Sequence, residues 1–449
     1  MNKTITQRFL DSIADIAERP LDEKIKDQVR YCLIDYVACT SIGASLLKEE
    51  NRRYLDSFGH PQGKIPVVGL GEKTSLLNAA MLNGINSHMI ELDDGHRFAM
   101  LHLGAPVISA MLAVASDKGL DAEHFMKGIV VGYEATVRLA AAIQPGHKLK
   151  GYHATGTCGT IGTALAVAEA LDLPAECRNA VISAAATDAA GLLALIDDGS
   201  ELKPYNVGRA VVAAINAAYA GSMGLVGPSD VLGGARGFFK TMAADVDEEM
   251  LLHGFMPDYA IERIYRKPYA ACRHCHSAIE AALNIRKEQS PALDDITEIE
   301  IDTYGLAVKG HDHTQVKGAG SAKMSIPYGV ACALLYGKVN YQQYQPACLA
   351  EGQVSDLMKK VVVREDKDLS ALVPGKRVAV VTVKTGKDSF RNTVEYPLGE
   401  PENPMSREML EEKYDSLMAA AGVSQERRRT ILTAIYDIEH RFEELPGLL

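Results

Sequence analysis

The hydrophobic period of the sequence changes near residue 262, and this change constrains the fold more than any other feature. Before it, apolar residues recur every three or four positions, and Ile25, Val29, Leu33 and Val37 line one face of a helix. After it, residues 296–308 alternate apolar and polar side chains, which is the period of a half-buried strand. The chain of 449 residues is also longer than one compact core usually holds. We therefore expect two structural units.

Beyond the strand-like region, the C-terminal end of the chain returns to helical, charged sequence. Ser406 and Ser424 stand just before two predicted helices, where serine is a favoured N-cap. The fold class is predicted to be mostly α, with a large all-α helical domain built from both chain ends and a smaller inserted α+β lid domain. We place the helical domain at residues 1–262 and 400–449 and the lid domain at residues 263–399.

Charge and apolar content exclude several classes of partner. The formal net charge is −11 and the pI is about 5.7, which argues against nucleic acid or an anionic membrane as a partner. No run approaches the ~18 apolar residues of a membrane span, and the N-terminus lacks a signal-peptide pattern. Cysteines scattered over a long chain without that pattern are typical of reduced thiols. We therefore predict a cytoplasmic protein.

A basic side chain, a Gly or Pro turn and a predicted helix start follow one another four times, at His102, His153, Lys203 and Lys267. Helix N-termini carry unpaired N–H groups and the positive end of the helix dipole, so they attract anions. Because the same dipole disfavours cations there, four such placements favour a shared site for a molecule with several carboxylates. Four unrelated solvated loops are the alternative.

An acidic stretch after the helix predicted at residues 75–89 supplies complementary chemistry. Glu91 lies three residues after His88, so the two side chains share a face if the helix continues. A carboxylate beside a histidine can orient the imidazole and tune it as an acid or a base. The alternative is a helix C-terminus with Gly95 in the left-handed position, followed by a solvated acidic loop.

Two clusters resemble metal sites, and we discount both. The run CRHCH at residues 272–276 lacks a matched second pair of ligands for a structural zinc ion. A metal-dependent hydrolase that uses His88, Glu91, Asp93 and His96 is a rival hypothesis, but these groups are too contiguous for a facial geometry to be assumed. No glycine-rich phosphate fingerprint follows a predicted strand. We therefore predict no metal and no organic cofactor.

Four segments together resemble the MmgE/PrpD family, and they occur in the order of that family. They are NGINSHMIELDD at 83–94, YHATGTCG at 152–159, KPY and CRH between 267 and 274, and KMSIPY at 323–328. Members of the family include 2-methylcitrate dehydratase, cis-aconitate decarboxylase and iminodisuccinate epimerase. The segments span most of the chain, and they are specific as a set although each alone is weak.

The resemblance implies a homodimer whose active site lies between the two domains and uses no metal or organic cofactor. The residues that match active-site positions of the family are Glu91, Asp93, His102, His153, Lys203 and Lys267, with Tyr328 a weaker match. Gly95 and Leu103 depart from the pattern, because dehydratase and decarboxylase members have Thr and Pro there. The loop before His102 is also slightly longer, so His96 competes with His102 for the catalytic role.

We therefore predict a cofactor-independent lyase, of the dehydratase or decarboxylase type, that removes a proton next to a carboxylate of a small di- or tricarboxylate. The residues predicted to bind substrate are Lys203, Lys267, Arg273, His96 and Tyr328. The predicted catalytic residues are His102 and His153, one as base and the other as acid, with Glu91 or Asp93 orienting one of them. An epimerase with the same α-proton chemistry and a non-catalytic polycarboxylate-binding protein are the alternatives.

Overall fold

The structure is a computed structural model that describes residues 3–449, so the first two residues of the predicted helical domain lie outside it. The fold is mostly α, as predicted, with 59% of the chain in helices and two small sheets. Over the part of the chain that the structure describes, no helix combines the length and the apolar character needed to cross a membrane.

Closely packed helices form the first part of the chain. They are α1 (Ile5–Ala17), α2 (Glu23–Leu46), α3 (Lys48–Ser57), α4 (Leu76–His88), α5 (Gly104–Lys118), α6 (Ala122–Ala141), α7 (Gly146–Leu149), α8 (Ala154–Ala170), α9 (Ala175–Asp188), α10 (Tyr205–Gly221), α11 (Phe238–Met242) and α12 (Glu248–His253). Small residues allow the close packing, since a Cβ at Gly162 of α8 would lie 1.9 Å from Thr136 Oγ1 of α6. The helices α5, α8 and α10 contact one another, and hydrogen bonds from His102 N to Thr155 Oγ1 and from Asn206 Nδ2 to His153 Nδ1 join their N-terminal ends.

The inserted segment carries a four-stranded sheet in the order β4-β3-β5-β6. Its strands are β3 (Ile296–Thr303), β4 (Val361–Glu365), β5 (Ala379–Thr385) and β6 (Ser389–Val394), numbered after β1 (Ile65–Val67) and β2 (Glu72–Thr74) of the helical domain. Strand β3 is parallel to β4 and antiparallel to β5, and β5 is antiparallel to β6. The helices of this segment are α13 (His276–Gln289), α14 (Gly305–Val308), α15 (Ala319–Lys323), α16 (Ile326–Tyr336), α17 (Pro346–Leu349), α18 (Gly352–Met358) and α19 (Lys367–Ala371). Helix α13 packs between the sheet and α16.

The C-terminal helices return to the first domain. They are α20 (Arg407–Ala420), α21 (Gln425–Tyr436), α22 (Ile438–Arg441) and α23 (Leu445–Leu448), and α20 and α21 pack against α2. Ser406 Oγ accepts from the backbone N of Met409, and Ser424 Oγ accepts from that of Arg427. Both predicted N-caps are therefore confirmed.

Three strand features differ from the prediction. The hairpin of β1 and β2 precedes residue 262, and its three-residue strands are too short for a period to show. The strand predicted at 296–308 ends at Thr303, because the chain turns there into the helix Gly305–Val308. Strand β6 was missed, since its sequence SFRNTV has exposed and half-exposed polar side chains and no clear apolar face.

Candidate active site

A cavity of about 650 Å³ lies between the helical domain and the inserted domain. Its basic lining residues are Lys148, Lys203, Arg273, Lys309, Lys317 and Arg377, with His102, His153, His274, His311 and His313. Among the side chains that the structure describes (residues 3–196 and 200–449), no Asp or Glu lines this cavity. On a chain with a net charge of −11, such a concentration of cations indicates a binding site for anions.

Histidines gather around one buried carboxylate at the end of α4. His88 is the last residue of α4, and its Nδ1 lies 2.9 Å from Asp93 Oδ2. His102 Nδ1 lies 3.1 Å from the same oxygen, and the two histidine rings are 4.5 Å apart. Burial alone would raise the pKa of Asp93, but His102 and His88 outweigh it and hold this pKa well below its ordinary value. The carboxylate is therefore charged at neutral pH.

The hydrogen bonds of His102 determine which ring nitrogen carries a proton. Nδ1 lies 2.7 Å from the backbone oxygen of Asp94, and a carbonyl oxygen can only accept. Nδ1 is therefore protonated, with the Asp93 carboxylate beside it, and the lone pair is on Nε2. His102 also lines the cavity. This is the arrangement of a general base oriented by a carboxylate.

Asn206 gives His153 the opposite arrangement. Asn206 Nδ2 donates to the backbone oxygen of Leu192 (3.3 Å), which orients the amide, and to His153 Nδ1 (3.2 Å). Nδ1 of His153 is therefore an acceptor, so the neutral ring carries its proton on Nε2. Burial and the neighbouring basic groups hold the pKa of His153 well below its ordinary value. His153 is thus a neutral hydrogen-bond donor, which suits it to stabilise a developing oxyanion.

Glu91 joins the two lysines that were predicted to bind substrate. Its backbone is left-handed, with φ at 54°, and its Oε1 contacts Lys203 and lies 3.4 Å from His88 Nε2. Lys267 is fully buried and donates to Oε2 and to the backbone oxygen of Glu91, both at 3.0 Å. Burial and then the charge of Lys267 lower the pKa of Lys203 to about 7, an effect that Cys272 opposes. Lys203 lines the cavity, whereas Lys267 lies behind it.

Two predicted substrate contacts lie away from the cavity. Tyr328 is buried within the inserted domain, and its hydroxyl donates to the backbone oxygen of Gln343. His96 is fully buried, packs against Phe255 and accepts a hydrogen bond from the backbone of Ala99. Both predictions are corrected, since neither side chain lines the cavity. His102 is therefore the histidine of its loop that faces the site.

Arg273 borders the cavity, but its guanidinium is already engaged. Nε and Nη2 donate to Glu400 Oε1 at 3.1 and 2.9 Å. Nη1 and Nη2 also donate to the backbone oxygens of Leu398 and Pro397. These bonds tie α13 to the segment that leads into α20. They give Arg273 a structural role, and its contact with a substrate carboxylate stays a prediction.

The helix starts are not four equivalent anion sites. At α5, Asp94 Oδ1 accepts from the backbone N of Gly104 (2.8 Å) and of Leu103 (3.3 Å), so this N-terminus is already capped. At α10, Pro204 occupies the N-cap position, and Asn206 lies in the first turn. The basic side chains, rather than the helix ends, therefore supply most of the positive lining.

Gly95 stands where the resemblance to dehydratase and decarboxylase members implies a threonine. It is not left-handed and pairs instead with Tyr265 in an isolated bridge. A Cβ at this position would lie 2.4 Å from Tyr265 Oη. A threonine would not fit, because the tyrosine side chain occupies its space. Tyr265 lines the cavity.

Sequence reasoning missed several residues that build the site. Lys323, in the KMSIPY segment, donates to a backbone oxygen after α4 and lines a smaller cavity beside Lys203. Lys148 lines the large cavity but stands in sequence with no distinctive pattern. Lys413 of α20 donates to the backbone oxygens of Leu92 (2.7 Å) and Lys267 (2.9 Å), so the C-terminal helix positions the loop after α4.

The residues of the site do not fit a metal centre. His88, Glu91 and His102 do place ligand-type atoms within 4.8 Å of one another. However, two ammonium groups already contact the two Glu91 oxygens, and a divalent cation beside them would be repelled. His96, which the hydrolase hypothesis requires, lies outside the cluster.

Comparisons with known proteins agree over most of the chain. The model of the MmgE/PrpD N-terminal domain matches residues 7–250, and that of the MmgE/PrpD C-terminal domain matches residues 269–438. The cis-aconitate decarboxylase-like protein oryM of Aspergillus oryzae is 25% identical over 97% of this chain and 94% of its own. Cis-aconitate decarboxylases of Aspergillus terreus and Homo sapiens are 25% and 23% identical, over 94% and 92% of this chain and 91% and 88% of theirs.

Proposed function

Because the chain belongs to the MmgE/PrpD family, we propose that it is a cofactor-independent lyase, of the decarboxylase or dehydratase type, that acts on a small di- or tricarboxylate. The relatives named cis-aconitate decarboxylase make that unsaturated tricarboxylate the first substrate to test. Assembly as a homodimer and a cytoplasmic location stay predictions.

One observation carries the proposal: a histidine with a free Nε2, oriented by a buried carboxylate, borders a cavity lined by cations. Lys203 and the other cations account for binding of a polyanion. A protein that only bound such an anion would have no use for the pairing of His102 with Asp93. The pairing is what a proton-transfer enzyme needs.

The chemistry proceeds through a carbanion next to a carboxylate. In dehydration, His102 Nε2 takes the proton from this carbon, and the C–H electron pair moves into the carboxylate as an enediolate. That pair then expels the β-hydroxyl group, which takes up a proton from water in the cavity and leaves as water. In decarboxylation, one carboxylate leaves as carbon dioxide, the C–C electron pair stays on carbon, and that carbon takes up a proton. Lys203 and the Nε2–H of His153 stabilise the negative charge in both cases.

The test is a panel of small di- and tricarboxylates, including cis-aconitate and 2-methylcitrate, incubated with the enzyme and a chelator in deuterated water and followed by NMR. We expect at least one acid to lose carbon dioxide or water. A decarboxylated product should carry solvent deuterium at the carbon that is protonated. Deuterium at a stereocentre without either loss would instead identify an epimerase with the same carbanion.

His102→Asn is the matched control, because its amide retains a donor near Nδ1 but lacks a basic Nε2. If that acid is dehydrated or epimerised, this variant should turn it over with a kcat lower by at least ~100-fold, because His102 then breaks the C–H bond. The proposal is wrong if no acid of the panel reacts or exchanges its C–H hydrogen and none raises the melting temperature of the wild-type protein.

A further inference from the structure

Cys272 differs from the buried cysteines of this chain. It stands just before the 3₁₀ turn Arg273–Cys275, and its backbone N donates to the backbone oxygen of Lys323 (2.8 Å). Its side chain is partly exposed and lines the large cavity. Cys275, at the other end of the same turn, is fully buried. Cys275 therefore offers a buried control for Cys272 within one short segment.

Basic groups from three elements surround the Cys272 sulfur. His311, in the loop after α14, acts on the Cys272 sulfur most strongly among these groups, and Lys203 and Lys148 also lie close enough to act on its charge. The other titratable groups that interact with it are the thiol of Cys275 and the hydroxyl of Tyr304. His311, Lys203 and Lys148 all line the same cavity as Cys272. The sulfur thus borders the anion-binding space rather than an apolar core.

A hydrogen bond of His311 to the backbone leaves its other ring nitrogen for the thiol. Nδ1 of His311 lies 3.1 Å from the backbone oxygen of Lys309, which can only accept, so Nδ1 carries a proton and Nε2 is available for the sulfur. Burial would raise the pKa of the Cys272 thiol, but His311 and the two lysines outweigh it and hold this pKa well below its ordinary value. Burial instead raises the pKa of Cys158 to about 12.

We propose that Cys272 and His311 form a second acid–base pair of this site, which donates the proton that the substrate takes up. This proposal rests on the proposed function. In decarboxylation, the C–C electron pair left on carbon forms a new C–H bond with the proton of the pair. The S–H or N–H bond breaks, and the pair is left as a thiolate beside a neutral imidazole. Water in the cavity then returns one proton to it.

The groups that already have a role in this site are committed elsewhere, which favours a separate proton donor. The neutral Nε2–H of His153 can donate a hydrogen bond but is a poor proton donor, since it would leave an imidazolate. Lys203 contacts Glu91 and faces the anion. His102 is assigned the role of the base, through its Nε2. The pair of Cys272 and His311 comes from the inserted domain, so it brings a proton to the cavity independently of the helical domain.

The first experiment measures the thiol without any substrate, by iodoacetamide alkylation of the wild-type protein from pH 5 to 9 with mass spectrometry of each cysteine. Cys272 should react at its maximal rate already at pH 7 and at least ~100-fold faster than the buried Cys275. His311→Gln should move the midpoint of the Cys272 profile upward by at least ~1 pH unit. A Cys272 rate that keeps rising through pH 8.5, as for an ordinary thiol, overturns the pair even if the enzyme is a lyase.

The second experiment uses turnover of whichever acid the panel identifies. Cys272→Ala should lower kcat by at least ~100-fold with little change in KM, and Cys272→Ala/His311→Gln should be no slower, because the two act as one unit. Cys275→Ala, the control from the same turn, should keep kcat within about threefold. If Cys272→Ala keeps kcat within about threefold as well, the acid–base role is wrong, whereas the proposed lyase reaction stands.

Discussion

Lys203 and Lys267 share Glu91 as a partner, yet removing each should have a different consequence. Lys267 is fully buried and donates twice to Glu91, whereas Lys203 contacts Glu91 from a position that lines the cavity. Lys267→Met keeps the side-chain volume but leaves the buried carboxylate with one contact. Lys203→Met leaves Glu91 with both contacts from Lys267. Their sequence contexts are alike, and only the structure separates the two lysines.

The expected loss of stability follows from the burial of the Glu91 carboxylate. Removing one partner of a buried ion pair costs about 3–5 kcal/mol of stability. Because Glu91 keeps its contact with Lys203, we expect Lys267→Met to lower the free energy of unfolding by about 3 kcal/mol. Unfolding entropy of about 2.1 cal/mol/K per residue gives about 0.9 kcal/mol/K for 449 residues. The melting temperature should therefore fall by about 3–4 °C for Lys267→Met and by less than about 1 °C for Lys203→Met.

The assay is calorimetric melting of both variants without substrate, together with kcat/KM on the acid identified by NMR. Lys203→Met should lower kcat/KM by at least ~10-fold, which corresponds to a charged hydrogen bond of ~1.5–3 kcal/mol. Adding Glu91→Gln to Lys267→Met should restore most of the lost stability, because no unpaired charge is then buried. Equal melting temperatures for the two lysine variants would refute this reasoning, as would a double variant less stable than Lys267→Met.

Three further predictions concern Lys203, His96 and Asn206. Since the pKa of Lys203 is lowered to about 7, its positive charge is present below that pH and lost above it, so kcat/KM should decline on the alkaline side of pH 7. Lys203→Arg should remove this limb, and a wild-type profile that is flat to pH 9 would show that Glu91 keeps the lysine charged. His96→Asn should keep kcat within about threefold, in contrast to the loss of at least ~100-fold in His102→Asn. Asn206→Asp should reverse the tautomer of His153, which nitrogen-15 NMR would show as a proton on Nδ1. The same variant should lower kcat by at least ~10-fold with little effect on KM. An unchanged tautomer would contradict the assignment of the His153 proton to Nε2.

Local periodicity was enough to predict the fold class, because most elements carry a recognisable sequence pattern within a few residues. The helix Glu23–Leu46 shows its apolar spacing in the chain itself, and Ser406 and Ser424 mark helix starts by their own side chains. Elements without such a signal were missed. The polar strand β6 and the three-residue strands of the hairpin become strands only by pairing with a partner.

The site was predictable only where its residues stand in distinctive segments. His102, His153 and Lys203 did emerge from the sequence, and the structure brings them to one cavity. Partners across long separations did not, because Lys413 reaches the loop after α4 across 321 residues. Arg273 shows the converse. Its motif suggested a carboxylate of the substrate, but the chain supplies its own carboxylate, Glu400, 127 residues later.

The division of charge among these residues explains how one site can both bind an anion and accept a proton. Burial holds the pKa of His88 at about 3 and that of His153 well below its ordinary value, so these imidazoles contribute no positive charge at neutral pH. Attraction for the substrate must therefore come from lysine and arginine, and Glu91 offsets one of the two ammonium charges that lie against it. A histidine-based cation would attract the substrate equally well, but it would have no lone pair left for the proton. Carboxylates on the hidden side of the histidines and lysines on the open side thus allow binding and proton transfer together. Any small polycarboxylate meets the same cations, so discrimination among such acids has to arise from uncharged lining groups. One such group is the Tyr265 side chain beside Gly95. Gly95 is also a position where this chain departs from the dehydratases and decarboxylases that it resembles.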